Sequence, residues 1–207
     1  GGTVDFPATA AQMLEDKDQL IMSTLHERSH FYMFLLPDKV GAQLEYQEAV
    51  ATTVEFVGAQ LAGISKETAI EKLKKAAYWW AAKDLAGVYY TLHNTGKYSH
   101  AQLVDRFMQA GRAGSLDEIL SEFGQLTGKK LEDIKGHFEF MRDDYISRND
   151  PLEDETLRES FNRQLIFSDQ DLINLVNKTN SQLPPQSSPR SPVALGIQPE
   201  IMVKLDE

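Results

Sequence analysis

The stretch LEDIKGHFEFMRDDY, residues 131–145, places apolar side chains at Leu131, Ile134, Phe138, Met141 and Tyr145. The intervals are three, four, three and four. That spacing brings all five onto one face of a helix and cannot be laid along one face of a strand. The same period recurs along most of the chain. Upstream, Leu14, Ile21, Leu25, Tyr32 and Leu35 define a helix from about Ala8 to Leu36, which Pro37 ends. Asp38 caps a second helix carrying Val40, Leu44, Val50, Val54, Val57 and Leu61, and Gly63 supplies a left-handed stop. Ser65 caps a third that runs to about His93 and closes at Asn94-Thr95-Gly96.

Capping signatures continue the series. Ser99 with Gln102, Ser115 with Glu118, and Asp150 with Pro151 and Glu153 predict helices at about 100–110, 116–126 and 151–166. Ser168 caps a last short helix with Leu172, Ile173, Leu175 and Val176. No stretch alternates as a strand would. The expected fold is all-α: a bundle of about eight helices, the three long N-terminal ones antiparallel. Residues 1–178 form the helical domain, with a candidate sub-boundary near 97–114. Residues 179–207 read as an extended tail, because five of the eight prolines lie there (Pro184, Pro185, Pro189, Pro192 and Pro199) among serine and glutamine. Val193-Ala194-Leu195 and Ile201-Met202-Val203-Lys204-Leu205 interrupt it as short apolar stretches suited to docking.

Bulk composition narrows the function. The 207 residues are 42% hydrophobic, enough for a real core, and carry a net charge of −10 with a pI near 5.0. Nucleic acid is disfavoured, since phosphate binding needs a cationic face. Cysteine is absent, which removes disulfides, thiolate ligands and cysteine nucleophiles together. No apolar run approaches the roughly 18 residues of a membrane span. No signal-peptide pattern is visible around Gly1-Gly2-Thr3, so a cytoplasmic location is expected.

One short motif has a mechanism attached. His26-Glu27-Arg28-Ser29-His30 puts two histidines one helical turn apart beside a glutamate. After the Pro37-Asp38 turn, Glu45 and Glu48 fall opposite and offer a third ligand. In these five residues and a downstream glutamate the chain resembles the gluzincin metallopeptidases. That resemblance implies zinc on His26 and His30 with Glu27 as general base, completed by Glu45 or Glu48 and water. The chain departs from the pattern at Arg28 and Ser29, where the family has small or apolar residues, and a cation there opposes a dicationic metal. The Glu27-x-x-His30 spacing also suits a di-iron bundle, but that fold needs a second Glu-x-x-His, and none exists among five histidines.

Other clusters are weaker. Tyr78-Trp79-Trp80, with Tyr89 and Tyr90, reads either as a helix covered on several sides or as a partner anchor through Trp79, Trp80 and Tyr90. Residues 124–130 fit a helix stop better than a phosphate loop. Asp143-Asp144 and 153–155 lack the ligand alternation of a calcium loop. Asn177-Lys178-Thr179 fits a glycosylation acceptor only in spacing. These observations favour a non-catalytic, cofactor-free adaptor or accessory subunit of a hetero-complex. It would bind proteins through Trp79, Trp80, Tyr90, Val193, Leu195, Ile201, Met202, Val203 and Leu205. Small acidic adaptors and chaperones of secretion machines share this composition. The alternative is a zinc-dependent hydrolase built on the 26–30 motif.

Overall fold

A computed structural model describes residues 17–35, 44–76, 78–147 and 155–182; of residues 34, 35, 44, 45 and 180–182 only the backbone is described. The described residues form nine helices and no strand. These are α1 (Lys17–Leu35), α2 (Leu44–Leu61), α3 (Lys66–Leu73), α4 (Trp79–His93), α5 (His100–Ala113), α6 (Asp117–Thr127), α7 (Leu131–Ser147), α8 (Glu155–Asn162) and α9 (Asp169–Gln182). None is long and apolar enough to cross a membrane. The all-α bundle expected from the periodicity is the fold observed.

Most ends lie where the capping residues put them. Ser65 Oγ accepts from the Thr68 amide, and Ser99 with Gln102 closes a reciprocal capping box. Ser168 Oγ accepts from the Asp171 amide while the Asp171 carboxylate accepts from the Ser168 amide. Gly63 and Gly128 adopt left-handed φ values of 87° and 70°, so residues 124–130 are a helix stop. At Ser115 the hydroxyl meets the Asp117 amide, and Leu116 occupies the cap. The Pro37-Asp38 turn and the Asp150-Pro151 cap lie outside the described residues.

Two expectations are corrected. The third helix is not continuous from Ser65 to His93: α3 stops at Leu73, and Tyr78 takes a left-handed φ of 57° before α4 starts. No proline or glycine marks that break. A left-handed non-glycine residue costs about 1–2 kcal/mol. Burial of Trp79 and Trp80 directly after it, at 0% and 4% exposure, outweighs that cost. At the other end, α9 runs through Gln182, so residues 179–182 belong to a helix; the tail beyond lies outside the described residues.

The break aims α4 through the centre of the molecule. Nearly every residue of α4 is buried, on all sides, against α2, α3, α5, α6, α7 and α9. Trp79, Trp80 and Tyr90 therefore belong to the core of their own chain and offer no accessible face to a partner; the reading of a helix covered on several sides holds. One buried cluster extends from Met22 to Val176 and runs through residues 97–114.

Burying α4 also buries Lys83 and Asp84 completely, and each is matched. Lys83 Nζ donates to Asn162 and Asp169. Asp84 accepts from His137 Nε2 at 2.8 Å and from the backbone amides of Ile166 and Phe167 at 3.1 Å each. These bonds tie the α8–α9 connection to the central helix. Gly87, one turn beyond Lys83, leaves the space that the Phe167 ring fills: a β-carbon there would lie 2.2 Å from the ring. Replacing Gly87 with alanine is therefore expected to destabilise the fold by about 1–3 kcal/mol, read as a lower urea midpoint at unchanged m-value.

Candidate metal centre at the α1–α2 seam

Helix α1 faces the core along Met22, His26, Ser29 and Met33, a heptad-like stripe with two polar members. Met22, Ser29 and Met33 are buried, and Ser29 satisfies its hydroxyl on the Leu25 carbonyl at 2.8 Å. His26 has no such local solution. Its partners come from α2, which crosses antiparallel: His26 pairs with Glu55 and His30 with Glu48, so higher numbers on one helix meet lower numbers on the other. Gly58 permits the close approach, since the Leu25 side chain lies 2.8 Å from where its β-carbon would stand.

The result is a compact triangle of ligand atoms. His26 Nε2 and His30 Nε2 are 3.0 Å apart, and each lies 3.4 Å from Glu48 Oε2. Two imidazole nitrogens at that distance need something between or beside them, because two lone pairs facing each other repel. Either a proton or a cation meets the requirement. A tetrahedral ion with ligands at about 2.0 Å has edges of about 3.3 Å, which these distances match. The donor set, two neutral imidazoles and one carboxylate, suits a first-row divalent ion rather than calcium or magnesium. His26, His30 and Glu48 side chains are 21%, 28% and 28% exposed, so water reaches the triangle.

Three expected residues thus converge. Of the two candidate third ligands, Glu48 is the one that reaches the histidines; the side chain of Glu45 lies outside the described residues. Glu27 and Arg28 are both exposed on α1, and neither contacts the triangle. The objection raised by Arg28 loses its force, because a residue two positions from His26 projects from the opposite side of the helix. Glu55 was not anticipated. It stands two turns beyond Glu48 on α2, and its Oε2 lies 3.1 Å from His26 Nδ1. The seven-residue spacing of Glu48 and Glu55, which puts both on one face of α2, was the available signal.

Without metal, charges hold the seam. Burial opposes a proton on His26, but hydrogen bonds to Glu48 and Glu55 outweigh it and raise its pKa from 6.5 to about 9. Hydrogen bonds from His26 and then His30 hold the Glu48 carboxyl at about 2, against the opposing effect of burial.

Elsewhere, a cleft of about 470 Å³ is floored by Phe123, Ile166 and Phe167, distant in sequence from the triangle. The apolar residues expected in the tail, Val193, Leu195, Ile201, Met202, Val203 and Leu205, lie outside the described residues. No family model matches the chain, no curated protein matches its sequence, and no solved structure matches its fold.

The raised His26 pKa stabilises the metal-free protein fully below pH 6.5, and that contribution is lost as pH rises through about 9. The lowered Glu48 pKa stabilises above pH 4.5 and is lost as pH falls through about 2. Chelator-treated protein should therefore lose melting temperature between pH 6 and 9.5, and a His26→Gln variant should lose less over that range.

Proposed function

We propose that this chain is a metal-dependent protein whose centre is His26, His30 and Glu48, and that hydrolysis is the chemistry it fits. The observation that carries this reading is the triangle of ligand atoms at 3.0–3.4 Å. Three protein ligands with solvent access leave a coordination position for water, the arrangement of hydrolytic rather than closed structural zinc sites. A bound ion of this kind supplies Lewis acidity and lowers the pKa of its water. Within the chain, His26 and His30 bind through Nε2 from one face of α1, and Glu48 closes the third side from α2. Glu27 is the candidate general base by the resemblance to gluzincins alone, since it projects toward the outer face of α1. Protein prepared without chelator and loaded with zinc should carry about one ion per chain by elemental analysis. His26→Ala, His30→Ala and Glu48→Ala should each lose it; Glu27→Gln should keep the ion and lose any ester or peptide hydrolysis. Wild-type protein that takes up no zinc would leave a proton in the triangle and overturn the reading.

A second reading, the adaptor, rests on a different observation. Leu20 and Phe31, 42% and 65% exposed, share the outer face of α1 with Thr24 and Glu27. In this reading a partner protein covers that face or takes up the apolar stretches of residues 184–207 in a hetero-complex. Affinity purification with the full chain, a Leu20→Ser/Phe31→Ser variant and a chain lacking 184–207 checks it. The expected outcome is loss of a co-eluting protein from at least one altered chain; identical eluates from all three would count against an adaptor.

A further inference from the structure

Resting on the metal reading, we infer that Glu55 is a positioning residue for the centre. It fixes His26 in the tautomer that turns the Nε2 lone pair toward the ion.

Geometry carries this. Imidazole offers two nitrogens, and the one facing a metal must be bare. Nε2 of His26 faces the triangle, so in a loaded site its single proton sits on Nδ1. Glu55 Oε2 is 3.1 Å from that Nδ1, and a carboxylate can only accept. The opposite tautomer would set a bare nitrogen against the Glu55 carboxylate and a proton against the ion, both repulsive. Glu48 cannot replace Glu55, because it lies on the Nε2 side.

Burial strengthens the constraint. The Glu55 side chain is 13% exposed, deeper than His26 at 21% or Glu48 at 28%. A carboxylate held there needs a donor, and among the described residues His26 is the partner it has. The two histidines are consequently unequal: the hydrogen bonds and ion pairs of His30 run through Nε2, with no acceptor behind its Nδ1 among the described residues. Helix α2 thus contributes twice, at Glu48 as a ligand and two turns later at Glu55 as the group that orients another ligand. Carboxylates in this position behind a ligating histidine raise its basicity and fix its ring.

The test uses the full chain and zinc. Competition against a chromogenic chelator gives the zinc dissociation constant for wild type, Glu55→Gln and Glu55→Ala. Proton NMR of the loaded forms looks for a downfield, hydrogen-bonded Nδ1 proton on His26. The expected result is a 10- to 100-fold weaker affinity in both variants, with about one ion per chain still reached at saturation. The downfield signal should be present in wild type and lost or shifted upfield in Glu55→Ala. Glu55→Gln keeps the volume of the side chain, so it remains informative if the alanine variant unfolds. Equal affinities across the three proteins would overturn the role of Glu55 while leaving the metal centre standing. Absence of zinc binding by wild type would remove the centre itself.

Discussion

Helix α4 has no polar face, and the rest of the molecule is arranged to satisfy that constraint. A helix apolar all round must be covered all round. Six of the other described helices pack on it, and the chain bends at Tyr78 to aim it through the middle. The two charges it carries, Lys83 and Asp84, become fixed points: each demands partners once buried, and those partners come from α7, α8, α9 and the connection before α9. Polar specificity and hydrophobic burial act together here. The apolar surface brings the outer helices in, and the matched charges set where the α8–α9 connection sits.

The α1–α2 seam lies outside that constraint and follows another logic. Its core-facing stripe on α1 contains His26 and Ser29 where aliphatic residues would stabilise the helix pair more simply. Retaining a histidine there requires acceptors, and α2 presents Glu48 and Glu55 two turns apart. Four ionisable groups concentrated at one helix–helix contact are an expensive way to hold two helices together, because desolvation offsets much of the Coulombic gain. The arrangement makes better sense as a site than as a clamp. It lies between the buried Met22 and Met33 yet stays partly exposed to water.

Much of this was legible in the chain. Helix periodicity and caps at Ser65, Ser99, Ser168, Gly63 and Gly128 are local signals, set by hydrogen bonds within a few residues, and they survive folding unchanged. The pairing of His26 with His30 is equally local, since one turn separates them. The turn at Tyr78 has no local signal, because it arises from the demand of Trp79 and Trp80 for burial. The aromatic cluster admitted two readings from sequence, and only the neighbours of α4 decide between them. The Arg28 objection failed for a related reason: adjacency along the chain is not adjacency around a helix.

Sequence by itself determined the all-α class, most helix ends and the pairing of His26 with His30, because each depends on contacts within a turn or two. Tertiary structure alone decided that Glu48 completes the triangle, that Glu55 meets His26, that Lys83 and Asp84 are buried, and that the tryptophans lie in the core. These depend on the register between helices, which is set by packing shape: Leu25 against Gly58, Phe167 against Gly87. Periodicity reports which face of a helix is buried but carries no information on which residue of a distant helix it meets.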